Sequence, residues 1–322
     1  MLKILLVKTS SMGDVIHNLP VVTDIRRQFP DAVIDWVVEE SFAQIPLLHP
    51  GVRKVIPVAL RRWRRSLGRG STRQEMAAFN AALKSESYDM VLDTQGLIKS
   101  AFVAFLARGK RTGYGWGSAW EPLASLLYSE SFNVDKTLHA VERNRLLAGL
   151  ALGYKPTTFA LDYGIAAPAG SAVGLPPSPY AVLLHATSRE DKLWPEDDWI
   201  VLGGQLGELG LPCVLPWGSA SERTRSERLA HSIARASVPG TLTLDRAAAL
   251  LACAAIVIGV DTGLTHLAAA LGAKVVALYV ATSPEHTGVY AGPRAINLGG
   301  AGKPPPTADV WQTATKLMQS EA

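Results

Sequence analysis

Cysteine is scarce in this sequence: only Cys213 and Cys253 occur in 322 residues. Both lie in apolar segments, "LPCVLP" and "LACAAIV", which predicts two buried thiols in a reducing compartment rather than a disulfide. No CxxC motif and no Cys/His cluster of the kind that binds zinc is present. The sequence therefore gives no indication of a metal site.

Long apolar runs are also absent. No stretch of about 18 apolar residues could form a membrane-spanning helix, and the run "ILLV" near the start is too short for a signal peptide. We therefore expect a cytoplasmic protein. The formal net charge is +4 and the sequence pI is about 9.0, which fits acidic small molecules or an anionic surface and does not require nucleic acid.

Two common phosphate-binding fingerprints are missing. The chain contains neither GxGxxG nor the Walker A pattern GxxxxGK[ST], which argues against an NAD-linked enzyme and against an NTPase. The composition is that of a globular protein, with 48% hydrophobic and 19% charged residues. A chain of 322 residues exceeds what one hydrophobic core usually holds, so we expect two domains.

Segments typical of strands alternate with segments typical of helices. The apolar runs that predict strands span residues 2–8, 32–38, 54–58, 88–96, 180–188, 211–218, 255–263 and 274–280. The intervening segments, and residues 308–319 after them, favour helices. This alternation predicts an α/β fold with parallel sheets and helices on both faces. A segment rich in Gly, Ala and Pro at 163–179 separates two predicted doubly wound domains, residues 1–165 and 176–322.

Four polar loops follow predicted strands, at residues 8–14, 93–99, 185–192 and 261–266. In open parallel sheets, ligands bind beyond the carboxyl ends of the strands. Because both domains present such loops, the sequence predicts one cleft that holds two ligands.

The first of these loops reads "KTSSMGD" and contains one carboxylate, Asp14. Pro20 suits the first turn of a helix, so Asp14 should lie on the loop or on a single turn before that helix. At the end of a strand, Asp14 could act as a general base toward a sugar hydroxyl. It could equally cap a turn, and the residues alone leave both interpretations open.

Two loops of the second half have the character of anion sites. "HATSREDKLWP" places Thr187, Ser188, Arg189 and Lys192 between a strand and a helix, a setting that suits a diphosphate or a solvated loop with capping residues. "VDTGLTH" places Asp261, Thr262 and Gly263 at the start of a helix, with His266 about one turn inside it. His266 could line a ligand site or be a satisfied, half-buried histidine.

The segment "RRWRR" surrounds Trp63 with Arg61, Arg62, Arg64 and Arg65. A charge run is often only a solvated face. Here no acid lies within several residues on either side, and arginine binds phosphate and carboxylate through two hydrogen bonds at once. The segment is therefore also a candidate receptor for an anion.

Taken together, several of these segments resemble one family. "KTSSMGDVIHNLP", "DWVVEESFAQIP", "VIPVALRRWRR", "DTQGLIKSA", "EPLAS", "HAVER", "DKLWPEDDW", "LPWG" and "VDTGLTHLAAALG" are similar, in this order, to segments of the lipopolysaccharide heptosyltransferase I family. The resemblance implies a GT-B fold, in which two Rossmann-like domains face each other across a cleft and the C-terminal helix returns to the first domain. It also implies an inverting, metal-independent transfer of heptose from ADP-heptose to a Kdo hydroxyl of Kdo-lipid A.

The resemblance assigns a role to each half of the chain. It makes residues 1–165 the acceptor-binding domain, with Asp14 as the general base, and residues 176–322 the ADP-heptose-binding domain. The matching donor positions are Thr187, Ser188, Lys192, Glu222, Asp261, Thr262, Gly263 and His266. The matching acceptor positions are Lys8, Ser10, Ser11, Gly13, Arg61, Arg62, Arg64, Arg65, Lys99 and Arg143. No cofactor is implied, since ADP-heptose is a substrate.

The implied acceptor is a lipid, so we expect a peripheral protein on the cytoplasmic face of the inner membrane, with basic residues attracted to its anionic surface. Two segments depart from the family. Trp120 stands before "EPLAS" where an arginine is expected, and "ATSPEHTG" (281–288) stands where relatives more often have "GPTDP". The alternatives are a heptosyltransferase that acts later in the core and a non-catalytic binding protein on a GT-B frame.

Overall fold

The computed structural model describes residues 1–170, 175–177 and 179–320. The chain forms two compact units, Met1–Ile165 and Ala166–Ala322. Residues 171–174 and 178 of the predicted linker lie outside the described residues. Each unit contains one six-stranded sheet, and every strand pairing in the described residues is parallel.

The sheet of the first unit has the strand order β3-β2-β1-β4-β5-β6. Its strands are Lys3–Val7 (β1), Val33–Glu39 (β2), Val52–Val58 (β3), Ser87–Asp93 (β4), Arg108–Tyr114 (β5) and Glu130–Phe132 (β6). The central strand β1 reads KILLV, and its residues Ile4 to Val7 are fully buried. A continuous apolar run is what a strand covered on both faces requires, and this explains why the prediction for residues 2–8 is confirmed.

The helices of the first unit cover both faces of this sheet. They are Met12–Ile16 (α1), Leu19–Gln28 (α2), Gln44–Leu47 (α3), Leu60–Trp63 (α4), Gly70–Leu83 (α5), Ile98–Leu106 (α6) and Ala140–Leu152 (α7). A 3₁₀ helix at Pro122–Leu127 packs beside α6. As predicted, Pro20 lies in the first turn of α2, and Asp14 lies on a single short helix before it.

The second unit repeats the strand order of the first. Its sheet runs β12-β11-β10-β7-β8-β9, with strands Ala181–Leu184 (β7), Cys213–Val214 (β8), Ala236–Ser237 (β9), Ile256–Val260 (β10), Val275–Tyr279 (β11) and Ala295–Gly299 (β12). In both sheets the order reverses between the first and fourth strands, β1/β4 and β7/β10. Ligands of doubly wound folds bind at this point. The loops after these four strands are therefore the candidate binding loops of the two units.

In the described residues of the second unit, five α-helices pack with the sheet: Glu196–Glu208 (α8), Ala220–Ser232 (α9), Leu244–Ala252 (α10), Gly263–Ala270 (α11) and Thr307–Gln319 (α12). The terminal helix α12 packs against α8, β10 and β11 of its own unit. Its predicted return to the first domain stays a prediction. The expectation of two buried thiols is wrong for one of them: Cys213 is buried on β8, whereas Cys253, which directly follows the last residue of α10, is exposed.

Candidate active site

Asp14 is held in place by the residue that caps its own helix. The backbone N–H and the hydroxyl of Ser11 both donate to Asp14 Oδ2, each over 2.7 Å. Among the described residues, no donor hydrogen-bonds to Asp14 Oδ1. Asp14 is half-buried and lies directly beyond the carboxyl end of β1. The two interpretations of Asp14 are therefore compatible, because one oxygen caps the helix and the other remains available to accept a proton.

The loop that precedes Asp14 is fixed by a neighbour that the sequence did not single out. The Gln95 side-chain oxygen accepts hydrogen bonds from the backbone N–H and the hydroxyl of Thr9, each over 2.7 Å. The Gln95 amide donates to the carbonyl of Ser10 over 3.0 Å. Gln95 follows β4, which pairs with β1. The loops of Thr9 and Gln95 both follow strands at the same edge of the sheet. This shared position was the one sequence signal for their contact, since the two residues are 86 positions apart.

Lys8 lies beneath this loop rather than on the surface. It is 5% exposed, and its Nζ donates to the carbonyl of Thr94 over 2.9 Å and to Asn144 Oδ1 over 3.4 Å. Burial lowers the pKa of Lys8, whereas the carboxylates of Asp14 and Asp93 act in the opposite direction. These hydrogen bonds connect the end of β1 to the segments of Thr94 and Asn144. A direct contact of Lys8 with the acceptor stays a prediction.

Asp93 anchors the second loop at this edge. Its Oδ1 accepts from the backbone N–H groups of Gln95 and Gly96, over 2.7 and 3.3 Å, and its Oδ2 accepts from the Tyr128 hydroxyl over 2.8 Å. Gly96 has φ 71°, a left-handed conformation that favours glycine. Burial raises the pKa of Asp93. The loop after β4 is thus rigidly attached to the strand that ends beside Asp14.

Two predicted acceptor cations differ in their surroundings. Lys99 is exposed on the first turn of α6, and its Nζ donates to Ser10 Oγ over 3.2 Å. The Arg143 guanidinium is 3% exposed, donates to the carbonyl of Ser118 and lies over the rings of Tyr114 and Trp120, at 4.9 and 4.6 Å from their centres. Trp120, the residue that departs from the family pattern, therefore forms one wall of the Arg143 site.

The four arginines around Trp63 are not equivalent. Arg62 binds the carboxylates of Glu40 and Glu75, so the apparent lack of a compensating acid in the sequence does not hold in space. The backbone N–H of Arg61 donates to Glu39 Oε1 over 3.0 Å, and its side chain lies over the Phe42 ring. Arg61, Arg62 and Arg65 line an open groove of about 550 Å³. Arg64 and Arg65 are exposed.

In the second unit, Asp261 is the centre of a compact polar cluster at the end of β10. Lys192 Nζ donates to Asp261 Oδ2 over 2.7 Å, and the hydroxyl of Thr187 donates to the Asp261 carbonyl over 3.2 Å. His266 Nε2 lies 3.5 Å from Asp261 Oδ1. Because β7 pairs with β10, the loops that carry these four predicted donor residues meet at one edge of the sheet. The structure therefore brings them together.

Thr282 is a further member of this cluster that the sequence did not indicate. Its hydroxyl donates to Asp261 Oδ2 over 2.8 Å, and it lies in the segment 281–288 that departs from the family pattern. Burial alone would raise the pKa of Asp261, but hydrogen bonds from His266 and Lys192 outweigh burial and hold this pKa well below the usual carboxylate value. Asp261 therefore pairs with Lys192 as a carboxylate and orients its ammonium group.

The remaining predicted donor residues lie on three segments: the start of α11, the loop after β7 and the first turn of α9. Thr262 precedes the first turn of α11, and Gly263 is the first residue of that helix. Backbone N–H groups at such a helix start can bind an anion. Ser188 is exposed on the loop after β7. Glu222 lies in the first turn of α9, where its Oε2 accepts from the backbone N–H of Gly218 over 2.7 Å, and within the described residues no hydrogen bond joins its side chain to the Asp261 cluster.

In the part of the chain that the structure describes, no group of three or more His, Cys, Asp or Glu side chains is arranged to hold a metal ion. Within the same residues, no helix is both long and apolar enough to span a bilayer. Metal independence and membrane association therefore stay predictions.

The chain is similar to curated and solved heptosyltransferases over most of its length. It is 46% identical over 290 residues to "Lipopolysaccharide heptosyltransferase 1" of Escherichia coli (strain K12), covering 90% of this chain and 91% of that protein. The structure titled "E. coli heptosyltransferase WaaC with ADP" matches with a TM-score of 0.91 and 41% identity, covering 98% of this chain and 100% of that one.

A second solved structure, "E. coli heptosyltransferase WaaC with ADP-2-deoxy-2-fluoro heptose", matches with a TM-score of 0.87 and 43% identity over 98% of both chains. The strand orders and these matches confirm the predicted fold class, two Rossmann-like α/β units of the GT-B type. The model of glycosyltransferase family 9 (heptosyltransferase) matches residues 76–312, well over half of the chain. The chain therefore belongs to glycosyltransferase family 9, the heptosyltransferase family.

Proposed function

We propose that the protein transfers L-glycero-D-manno-heptose from ADP-heptose to a Kdo residue of Kdo-lipid A, in the assembly of the lipopolysaccharide inner core. The observation that carries the proposal is the likeness to WaaC with ADP and with an ADP-heptose analogue, at 41% and 43% identity over 98% of the chain. The chemistry of the two polar clusters supports it, as follows.

The second unit supplies groups suited to the leaving ADP. Negative charge develops on the diphosphate as the glycosidic bond breaks, and preorganised cations and N–H groups stabilise such charge. Lys192 is the cation, and the N–H groups at Thr262 and Gly263 begin helix α11. In the free protein, Asp261 holds Lys192 at 2.7 Å. The diphosphate would share this lysine with Asp261, so the cation is in position before the donor arrives.

Glu222 suits the ribose of the nucleotide, because a carboxylate accepts hydrogen bonds from paired hydroxyls. Its Oε2 accepts one bond from Gly218, which fixes the carboxylate and leaves its other oxygen for the ligand. Ser188, Thr187 and His266 would complete the donor contacts.

The first unit supplies the base. Asp14 Oδ1 would take the proton from the attacking Kdo hydroxyl, while the bonds from Ser11 to Oδ2 keep the carboxylate in one orientation. A single displacement then inverts the anomeric centre. The proposed transfer routes no step through a metal ion, since Lys192 and the start of α11 provide the charge stabilisation.

The proposed acceptor contacts are cationic because Kdo carries a carboxylate and lipid A carries phosphates. Lys99 donates to Ser10 in the Asp14 loop, and Arg143 lies over the Trp120 ring and donates to the carbonyl of Ser118. Arg61, Arg64 and Arg65 present exposed guanidinium groups, whereas Arg62 would have to exchange Glu40 or Glu75 for an acceptor anion. We also propose that the protein is peripheral on the cytoplasmic face of the inner membrane, where this acceptor is anchored.

The test is heptose transfer by the purified protein with two acceptors, Kdo-lipid A and Kdo-lipid A that already carries one heptose. Product masses and ADP release are measured with and without EDTA. Transfer to the first acceptor alone, unchanged by EDTA, is the expected result. Transfer only to the heptosylated acceptor would replace the proposal with a later-acting heptosyltransferase, and ADP-heptose binding without transfer to either would favour a non-catalytic binding protein.

A further inference from the structure

Helix α6 exposes an apolar stripe instead of burying it. Its sequence is IKSAFVAFL, and Ile98, Phe102 and Phe105 are 44%, 53% and 48% exposed. Residues spaced by four and seven positions lie on one helix face. The opposite face, with Ala101 and Ala104, is fully buried against the first unit. Two phenylalanines and an isoleucine at this spacing therefore point away from the core.

The neighbouring 3₁₀ helix, Pro122–Leu127, continues this apolar surface. Leu123 and Leu126 are 55% and 70% exposed. Side chains three residues apart in a 3₁₀ helix lie above one another on the same face. The 3₁₀ helix thus presents a second stripe, and we call the five side chains Ile98, Phe102, Phe105, Leu123 and Leu126 the apolar face.

Hydrogen bonds at both ends hold the two stripes side by side. The backbone N–H of Ile98, at the start of α6, donates to Glu121, the residue just before the 3₁₀ helix. Near the other end, Arg111 donates from Nε to the carbonyl of Leu127 over 3.1 Å, and its guanidinium lies over the Phe105 ring at 5.2 Å. The apolar face is therefore a fixed surface formed by two parallel elements, not a set of scattered side chains.

Three cations and two tryptophans surround the apolar face, together with one exposed carboxylate, Glu121, which accepts from the Ile98 N–H. Lys99 and Arg108 are exposed at the two ends of α6, and Arg111 lies between the stripes. Trp116 and Trp120, on the loop that leads to the 3₁₀ helix, are 58% and 55% exposed. Tryptophan prefers the interface between lipid and water, and cations beside an apolar surface attract anionic headgroups.

We propose that the apolar face docks the protein on a bilayer that carries anionic phospholipids, with the five side chains entering the headgroup region. The biological role of this docking rests on the proposed function. Lys99 of α6 donates to Ser10, so the docked surface adjoins the loop of Asp14. A lipid-anchored acceptor would then meet the base at the membrane. The apolar face, rather than the arginine segment alone, provides the contact with the lipid.

The size of the apolar face favours a bilayer over a second copy of the chain. From the exposed fractions, the five side chains present on the order of 500 Å² of apolar surface, taking about 200 Å² for each full side chain. A stable dimer buries about 800 Å² on each partner. Peripheral attachment to lipid requires no such area, because a few inserted side chains and several cations act together.

The experiment is flotation of the full-length protein with vesicles of phosphatidylcholine alone and with about a third phosphatidylglycerol. The test variant is Phe102→Ser/Leu126→Ser. The matched control is Val201→Ser/Leu209→Ser, which removes side chains of similar exposure, 52% and 55%, from the second unit. Thermal melts and light scattering check that each variant is folded and monomeric.

We expect the wild type and the control to bind the anionic vesicles. The test variant should bind them at least about tenfold more weakly. Equal vesicle binding by a folded test variant would overturn the inference, as would no binding by the wild type. So would a dimer of the wild type that dissociates in the test variant, because a second copy would then cover the apolar face.

Heptose transfer separates failure of this inference from failure of the proposed function. The test variant should lose transfer to Kdo-lipid A embedded in vesicles and retain transfer to a soluble acceptor from which the acyl chains have been removed. If the wild type transfers to neither acceptor, the proposed function is wrong, and the flotation result still decides whether the apolar face binds lipid. Equal loss on both acceptors would also overturn the inference.

Discussion

Replacing Asp14 by asparagine separates the two roles that the structure assigns to its two oxygens. An asparagine oxygen can accept the bonds that Ser11 now donates to Oδ2. The amide nitrogen would take the place of Oδ1 and cannot accept a proton. The loop should therefore keep its conformation while the base is lost.

The expected magnitudes differ enough to be told apart. Loss of a general base lowers a rate by about 10²–10⁴, and a hundredfold loss corresponds to about 2.7 kcal/mol of activation free energy. Loss of the carboxylate charge in the first turn of α1 should cost at most about 1 kcal/mol of stability. A protein with a typical stability of about 5–15 kcal/mol stays folded after such a change.

The assay is the initial rate of ADP release at saturating ADP-heptose and Kdo-lipid A, together with a thermal melt of each variant. Asp309→Asn is the matched control, since Asp309 also lies in the first turn of a helix, α12, and is exposed. We expect the Asp309 variant to have the wild-type rate and the Asp14 variant to lose at least a hundredfold. ADP affinity, measured by calorimetry, should be unchanged in both.

An Asp14→Asn enzyme that keeps more than a tenth of the wild-type rate would refute this reasoning, and Asp14 would then be only a cap. If the loss of rate equals the loss of folded protein seen in the thermal melt, the change acts through folding alone. That result would lead to the same conclusion. Asp14→Glu adds one further measurement: it retains a base at an altered position, so its rate should lie between those of the wild type and the asparagine variant.

Three other predictions concern binding and stability. Lys192→Met should weaken ADP binding by about 10–100-fold in calorimetry, because a charged hydrogen bond to phosphate contributes about 1.5–3 kcal/mol; unchanged affinity would remove Lys192 from the donor site. Arg145→Met should lower the free energy of unfolding by about 3–5 kcal/mol in urea titrations, because Arg145 pairs with the buried Asp24 at 2.6 Å; a loss under 1 kcal/mol would contradict this. Burial lowers the pKa of His185 from 6.5 to about 4, so the unfolded chain binds a proton there at higher pH than the folded protein does. Stability should therefore fall by up to about 3 kcal/mol as the pH drops from 6.5 to 4, and His185→Gln should show a flatter pH dependence in the same titrations.

The fold was largely predictable because parallel strands that are buried on both faces consist of consecutive apolar residues. The predictions for residues 2–8 and 255–263 correspond to β1 and β10, the central strands of the two sheets. Strand β5 was not predicted. Its sequence, RGKRTGY, contains three cations and two glycines, and only pairing with β4 and β6 makes it a strand. The predicted strand at 211–218 is shorter in the structure, Cys213–Val214. Pro212 and Pro216 lie on either side of it, and proline cannot donate a hydrogen bond to a neighbouring strand.

The site was predictable where its residues follow one another in the chain. Asp261 stands directly after a buried strand and before a helix, a local pattern that the sequence displays. The sequence indicated the loops that hold Gln95 and Thr282, residues 93–99 and 281–288, but it did not indicate the contacts of these two side chains, whose partners are 86 and 21 residues away. Such contacts follow from the strand order, which hydrophobic periodicity does not specify. The roles of the acceptor cations stay predictions, and Arg62 shows why, since its two acids are 22 and 13 residues distant.

The shared strand order of the two sheets also determines where the molecule can be altered without touching its chemistry. Every candidate group discussed for the donor lies beyond the carboxyl ends of strands or at the start of the following helices, whereas helices α8 and α11 end at the opposite edge of that sheet. Gly210 and Gly272 close helices α8 and α11 at that edge, both with a left-handed backbone and both exposed. A fluorophore, an affinity tag or an immobilising linker inserted beside either glycine should leave the donor cluster intact. The enzyme could then be fixed to a sensor surface by this edge while its reacting loops remain in solution.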